Sequence, residues 1–151
     1  MLEIKSTESH ISSILFCDKP QTISDTNSPI IQNAIHQLNE YFAGTRKDFD
    51  LPLDPNGTDF QKSVWDELVK ISYGTTTTYL KLSRKLNNEK AIRAVGTSNG
   101  QNPIAIVIPC HRVIGSDGSL TGYAGGLWRK KWLLEHEQFV LTGVKQTELF
   151  V

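Results

Sequence analysis

Two prolines and an Asn-Gly pair stand close together in the segment DLPLDPNGTD, residues 50–59. Proline lacks the backbone donor that helices and inner strands need, and an Asn-Gly pair favours a tight turn. A regular element cannot run through this segment, so we interpret it as a linker that divides the chain. We predict an N-terminal α/β region over residues 1–52 and a second domain over residues 53–151.

The composition narrows the setting of the protein. Lys and Arg together number 16, as do Asp and Glu, so the net charge is zero and argues neither for nor against nucleic acid. The first ten residues lack the pattern of a signal peptide, and no apolar run is long enough to cross a membrane. We expect a cytoplasmic protein with no membrane partner. Two cysteines and four histidines without zinc-finger spacing predict no metal, and no motif predicts a cofactor.

The N-terminal region reads as two strands followed by a helix. MLEIK and ISSILFC are rich in Ile, Leu and Phe, which favours a pair of strands. SPIIQNAIHQLNEYFAG predicts a helix with Ser28 as its N-cap and Gly44 beyond its end. We expect Cys17 to be a buried small apolar residue and His36 to be a solvated or hydrogen-bonded side chain rather than a ligand.

The second region opens with three predicted helices. TDFQKSVWDELVKISYG carries the Thr58 and Gln61 of a capping box and should end at Gly74. YLKLSRKL and EKAIRAVGTSN, the latter with Asn88 as N-cap, predict two short helices around a polar turn, as in a helix-turn-helix. Their basic residues also fit a merely solvated face. The predicted buried stripe of the first helix is Phe60, Val64, Leu68 and Ile71.

The rest of the chain alternates apolar and glycine-rich segments. PIAIVIP lies between two prolines and predicts a buried, extended segment. GSDGSLTGYAGG contains too much glycine for regular structure. LWRKKWLLEHEQF predicts an amphipathic helix with Leu127, Trp132 and Leu134 in the core.

A thiol and an imidazole are adjacent in IPCHRVIG, residues 108–115, as Cys110 and His111. A thiol becomes a good nucleophile as thiolate, which a base within reach helps to form. Neighbouring side chains on a strand point to opposite faces, so the pair can cooperate only if Pro109 breaks the extended run. A Cys-His dipeptide alone is most often an accident. Here the thiol ends an apolar run beside a glycine-rich segment, which favours an exposed, reactive group.

NPIAIVIPCHRVIG, followed by GYAGG and WLLEHE, resembles the active-site core of the O6-alkylguanine-DNA alkyltransferases, also called methylated-DNA–protein-cysteine methyltransferases. GTDFQKSVW, GTTTTYLKLS and AIRAVG resemble the same family and occur in the expected order. The resemblance covers residues 55–139 and extends loosely through LNEYFAGTRKDFDLPLD. It implies an α+β fold, in which a small, shortened ribonuclease H-like region precedes a mainly helical domain with a helix-turn-helix.

The resemblance also implies an activity, the direct reversal of DNA damage. Cys110 would take a methyl or larger alkyl group from O6-alkylguanine irreversibly, so that each molecule acts once, with O4-alkylthymine as a second candidate substrate. His111 would act as base through a bridging water, oriented by Glu137 in the manner of a triad. Asn102 would brace the turn that carries the cysteine, and Tyr79 would donate its proton toward the guanine ring.

The implied partner is double-stranded DNA containing O6-alkylguanine, with no obligate protein partner and a monomeric chain. The target base must leave the helix to meet a buried thiol, and Arg93 would fill the space it vacates. Main-chain oxygens near Cys110 and Val113 would accept from the exocyclic amine, and Tyr123 would wall the pocket. Backbone donors near Ala124 and Gly125 would approach guanine O6. The implied DNA-binding set is completed by Ala94, Gly96, Thr97 and Ser98.

Two alternatives remain open at this point. A non-catalytic lesion-binding protein, like the alkyltransferase-like proteins, would hold alkylated DNA without reacting, but such proteins replace the cysteine that this chain retains. A Cys-His-Glu hydrolase would use the same side chains with turnover and an oxyanion hole. The hydrolase would leave the helix pair and Arg93 without a role.

Overall fold

The computed structural model describes residues 1–19 and 27–144, which form two compact units. The first unit comprises Met1–Asn56 together with Pro103–Val107. The second comprises Gly57–Asn102 and the chain from Ile108 onward. The architecture is the predicted α+β class, with a small strand and helix region followed by a mainly helical one. The domain boundary between residues 52 and 53 stays a prediction.

The first unit is built on a hairpin and one helix. Strands β1 (Leu2–Ser6) and β2 (Ile11–Phe16) pair antiparallel and confirm the two predicted strands. Helix α1 (Pro29–Phe42) is also confirmed, although Ser28 at its N-cap position makes no side-chain capping bond. His36 is exposed, one of the two states expected for it, whereas Cys17 is only partly buried, so its predicted burial is wrong.

The apolar segment Pro103–Val107 is buried at Ile104, Ala105 and Ile106 and partly buried at its two ends, but it is not a strand. Ile104 forms a single bridge to Ile14 of β2, after which Ile106 adopts a φ of +72°. The amide of Val107 donates to the Ala105 carbonyl at 2.9 Å, which closes a γ-turn around Ile106. A positive φ is costly for a β-branched side chain. The predicted burial is confirmed, and the predicted extended conformation is wrong because a turn replaces it.

The second unit begins with helix α2 (Asp59–Leu68), whose predicted Thr58–Gln61 capping box is present in both directions. Val64 and Leu68 are buried as predicted. Phe60 is 37% exposed, so its predicted place in the core is wrong; Trp65 is buried instead, and its indole donates to the Ser98 carbonyl at 2.9 Å. The helix also ends earlier than the predicted stop at Gly74.

Two short helices follow and confirm the predicted pair. Helix α3 (Tyr79–Lys85) and helix α4 (Ile92–Gly100) are joined by a short connection that contains a 3₁₀ turn at Glu89–Ala91. Asn88 precedes this turn without a side-chain capping bond, so its predicted capping role is wrong. The result is a helix-turn-helix arrangement.

Helix α5 (Leu127–Thr142) closes the described chain and ends at Gly143, whose φ is +69°. Leu134 is buried as predicted, but Leu127 and Trp132 are nearly half exposed and their predicted core positions are wrong. The buried side chains of this helix are Lys130, Leu133, Leu134 and Glu137. Over residues 1–19 and 27–144, no helix has the length and apolar character needed to span a bilayer.

Candidate active site

Two successive tight turns present Cys110. Pro109 has φ −82° and ψ 60°, and the Cys110 amide donates to the Ile108 carbonyl at 2.8 Å, which is the geometry of an inverse γ-turn. A 3₁₀ turn, Cys110–Arg112, follows and leads into the short strand β4 (Val113–Ile114). The break at Pro109 is therefore confirmed, and the alternation of a strand no longer separates the thiol from the imidazole.

Asn102, two residues after the end of α4, stabilises this turn through its side-chain amide. Its side-chain amide donates to the Ile108 carbonyl at 2.7 Å and lies 3.1 Å from the Cys110 sulfur. Cys110 is 5% exposed, so the predicted exposure of the thiol is wrong. β4 pairs in parallel with β3 (Thr77–Thr78), directly before Tyr79, and brings the start of α3 to the same region.

A buried polar cluster of His111, Arg112 and Glu137 lies behind the cysteine. The Nε2 atom of His111 is 2.7 Å from Oε1 of Glu137, and both side chains are fully buried. The guanidinium of Arg112 donates to both carboxylate oxygens, Nη2 to Oε1 at 2.9 Å and Nε to Oε2 at 3.0 Å. The Gly74 amide donates to Oε2 at 2.9 Å. Such a set of donors compensates the cost of burying the carboxylate.

The charges within this cluster follow from its contacts. Burial raises the pKa of Glu137, but hydrogen bonds and charges from His111 and Arg112 outweigh it and hold the pKa well below its usual value. Burial lowers the pKa of His111 and prevails over the opposing effect of Glu137. A neutral imidazole beside an ionised carboxylate carries its proton on Nε2, the atom that faces the acceptor. Nδ1 is then the basic nitrogen, and it has no hydrogen-bond partner within residues 1–19 and 27–144.

The cysteine rests as a neutral thiol. Burial raises the pKa of Cys110, and the Asn102 hydrogen bond and the Lys130 charge oppose that rise without cancelling it. A thiolate therefore has to be made by proton transfer when it is needed. The polar neighbours that favour it are already in place around the sulfur.

Two tyrosines and the glycine-rich loop border the thiol. Tyr79 donates its hydroxyl to the Thr121 carbonyl at 3.0 Å. Burial comes first in raising the pKa of both Tyr79 and Tyr123, and the charge of a Cys110 thiolate adds to it. Val113 is fully buried, Ala124 is exposed, and the Gly125 carbonyl accepts from the Arg129 guanidinium at 2.9 Å.

The predicted DNA-binding residues lie on α4, and they differ in exposure because Ser98 is buried. Arg93, Ala94 and Thr97 are exposed, and Gly96 lies against the Tyr79 ring, 3.7 Å from the position of an added Cβ. Ser98 is 3% exposed and its carbonyl is bonded to Trp65, so its side chain belongs to the inner face of the helix. The DNA-binding role of these residues stays a prediction.

Sequence reasoning missed Arg112, Asn99 and Lys130. Arg112 was visible only as part of the motif, and its burial depends on Glu137, which is distant in sequence. The Asn99 amide lies 3.4 Å from the Cys110 carbonyl and is fully buried. Within the described ranges, no group of three or more His, Cys, Asp or Glu side chains is placed to hold a metal ion.

Comparison with known proteins identifies the family. Residues 59–139 match the family model described as the DNA binding domain of 6-O-methylguanine DNA methyltransferase, and residues 1–55 match its ribonuclease-like domain. The chain belongs to the 6-O-methylguanine DNA methyltransferase family. The motifs that suggested this family are the ones that form the polar cluster and the helix pair.

Individual members of the methyltransferase family are similar over most of the chain. A Methanosarcina acetivorans protein named methylated-DNA–protein-cysteine methyltransferase is 54% identical over 111 residues, 74% of this chain and 71% of that protein. A Mycobacterium bovis protein of the same name is 54% identical over 105 residues, 70% of this chain and 64% of that protein. The crystal structure of Mycobacterium tuberculosis OGT in complex with DNA is 43% identical, with a TM-score of 0.83, covering 92% of this chain and 87% of that one.

Proposed function

We propose that the protein repairs alkylated DNA by direct reversal, taking the alkyl group of O6-alkylguanine onto Cys110. The observation that carries this proposal is the arrangement around the sulfur. A buried thiol lies 3.1 Å from the Asn102 amide and next to an imidazole that Glu137 holds at 2.7 Å. The names of the relatives, methylated-DNA–protein-cysteine methyltransferase, support the same activity.

The first step is formation of the thiolate. Nδ1 of His111 is the unprotonated nitrogen, and it takes the thiol proton through one bridging water. Glu137 then stabilises the imidazolium through Nε2. The Asn102 amide remains as a donor to the sulfur. Because the thiol is buried, the thiolate is poorly solvated and correspondingly reactive.

The second step is transfer of the alkyl group. The sulfur attacks the alkyl carbon in line with the departing guanine O6, a C–S bond forms, and the C–O bond breaks with its electron pair going to the base. Tyr79 donates its phenolic proton toward the guanine ring and so neutralises the charge that develops there. The thioether has no easy route back to the thiol. One molecule therefore repairs one lesion.

The substrate is double-stranded DNA with the damaged base turned out of the stack. Arg93 on the exposed face of α4 fills the space that the base leaves, and Ala94, Gly96 and Thr97 allow the helix to approach the backbone. Ser98 supports that helix from its inner face. In the pocket, main-chain oxygens near Cys110 and Val113 accept from the guanine amine, Tyr123 forms a wall, and the backbone at Ala124 and Gly125 faces O6.

The two alternatives explain fewer observations. A lesion-binding protein without chemistry has no use for a thiol clamped by Asn102 beside an oriented imidazole. A hydrolase needs donors that stabilise an oxyanion. The amide of Cys110 already donates to the Ile108 carbonyl, and that of Arg112 donates to the Pro109 carbonyl. These two amides are therefore engaged elsewhere and do not form an oxyanion hole.

The proposal is tested by following a radiolabelled methyl group on guanine O6 in duplex DNA. We expect label to reach the protein up to one equivalent and no further. Cys110→Ser should abolish the transfer, and Cys17→Ser, which alters the other cysteine of the chain, should leave it unchanged. Label that stays on DNA, or reaches the Cys110→Ser protein, would reject the proposal. Release of label with repeated turnover would favour the hydrolase.

A further inference from the structure

A buried lysine lies beside the candidate active site and has no part in the proposed reaction. Lys130 on α5 is 0% exposed, whereas the side chain of the neighbouring Lys131 is 42% exposed. Burying an ammonium group costs free energy unless hydrogen bonds or opposite charges compensate it. Apolar side chains fill a buried position better, since lysine is almost never fully buried unless it is paired. The position of Lys130 therefore points to a role.

The Lys130 ammonium shares a hydrogen-bond acceptor with Tyr79. Its Nζ donates to the Thr121 carbonyl at 2.9 Å, and the Tyr79 hydroxyl donates to the same oxygen at 3.0 Å. The ammonium also lies 5.9 Å from the centre of the Tyr79 ring. One carbonyl of the glycine-rich loop thus receives donors from both α3 and α5.

This shared acceptor matters when Tyr79 acts. A phenol has one proton, and it cannot donate to the Thr121 carbonyl and to a guanine ring at once. When Tyr79 turns to the substrate, Lys130 still holds the carbonyl. The loop that carries Tyr123, Ala124 and Gly125 then keeps its position during the transfer.

The ammonium charge also reaches the nucleophile. The titratable groups that interact with it are Cys110 and His111 of the 3₁₀ turn and Tyr79 of α3, and Tyr123 of the loop interacts with Cys110 in turn. Lys130 opposes the rise that burial causes in the pKa of Cys110. Burial lowers the pKa of Lys130 to about 8, and a Cys110 thiolate acts in the opposite direction. At neutral pH the lysine is therefore mainly charged.

We propose that Lys130 is a positioning residue for the transfer, which anchors the substrate loop through Thr121 while Tyr79 serves the substrate, and whose charge favours the Cys110 thiolate. This inference rests on the function proposed above. It predicts that the ammonium charge of Lys130 favours the Cys110 thiolate, an effect that an uncharged side chain at this position would lack.

The test is the pH dependence of Cys110 alkylation by iodoacetamide, measured in a Cys17→Ser background. We expect Lys130→Gln to move the midpoint of the rate profile upward by about one pH unit, which is a roughly tenfold lower rate at pH 7. Lys130→Arg should restore most of the rate, and Lys131→Gln on the same helix should match the parent. Equal midpoints for Lys130→Gln and Lys131→Gln would overturn the electrostatic role.

Loop anchoring has its own readout in hydrogen exchange of residues 119–126. These amides should exchange faster in Lys130→Gln than in Lys131→Gln, and equal rates would overturn the anchoring role.

The outcomes separate this inference from the proposed function. Parent protein that accepts label while Lys130→Gln keeps the parent midpoint would reject the role of Lys130 alone. A shifted midpoint in protein that accepts no label would retain the coupling of Lys130 to Cys110 and reject the repair activity.

Discussion

The turn that carries Cys110 and the face of α4 that carries Arg93 differ in how far their side chains are exposed to solvent. Cys110, His111 and Glu137 are buried, the Asn102 amide lies 3.1 Å from the Cys110 sulfur, and Nε2 of His111 lies 2.7 Å from Glu137. On α4, Arg93, Ala94 and Thr97 are exposed. The buried cluster has its geometry before any substrate arrives, as an efficient reaction requires. The exposed face is the surface that the proposed function assigns to the contact with DNA.

This difference predicts that substitutions in the cluster lower both the free energy of unfolding and the rate of methyl transfer. Substitutions on the exposed face of α4 should lower only the rate of transfer from duplex DNA. The largest effect should come from Glu137→Gln. The amide leaves the buried Arg112 without its counter-charge, and removal of one partner from a buried ion pair costs about 3–5 kcal/mol. Urea denaturation measures this loss.

The same variant should also slow methyl transfer roughly 100-fold or more, because the imidazole loses the group that orients it. The matched control is Glu135→Gln, a partly exposed carboxylate on the same helix, which should change neither quantity. A Glu137→Gln protein with parental stability and rate would remove the distinction between the two regions.

A smaller effect is expected from Arg93→Ala on the exposed face. Transfer from duplex DNA should slow by about tenfold, because the unfilled gap leaves about 1.4 kcal/mol of the unstacking cost uncompensated, while reaction with free O6-methylguanine should not change. Arg84→Ala removes a charge of the same sign from an exposed site on α3 that is paired with Glu89. Equal losses in both variants would mean that Arg93 acts only through its charge.

The smallest effect concerns stability in mild acid. Because the pKa of His111 is lowered in the folded state, its contribution to stability is complete above the unfolded value of 6.5 and is lost as the pH falls below it. The free energy of unfolding should decline by at most about 1.4 kcal/mol per pH unit from this group. Glu137, also lowered, adds a second loss below 4.5.

Thermal denaturation between pH 7 and pH 5 tests this. The decline should be reduced in His111→Gln and retained in His36→Gln, which alters an exposed histidine. A decline that persists in His111→Gln would place the acid sensitivity outside the cluster.

Local signals in the sequence predicted the elements better than the core. The Thr58–Gln61 box, the two strands and the helix pair depend on neighbouring residues, and all of them are present. Leu127 and Trp132 were placed in the core by their apolar character, yet α5 has apolar residues on several sides. Its buried face was chosen by contacts with distant residues, including those of Glu137 and Lys130.

The candidate site divides in the same way. The resemblance named Cys110, His111, Asn102 and Glu137, and the structure brings these four together. Arg112 and Lys130 were not found because a sequence gives no sign that a basic side chain is buried. The prediction that a loop exposes the thiol failed because the γ-turn at Pro109 points Cys110 inward.

The hydrogen bond from Trp65 to the Ser98 carbonyl makes Trp65 an intrinsic fluorescence probe of helix α4. The chain has three tryptophans, of which Trp65 is 2% exposed while Trp128 and Trp132 are 67% and 46% exposed and can be reached by a quencher. Replacing the latter two by phenylalanine leaves one indole, bonded to the inner face of the helix whose outer face carries Arg93. Its emission should therefore register docking of DNA on α4 without any attached dye.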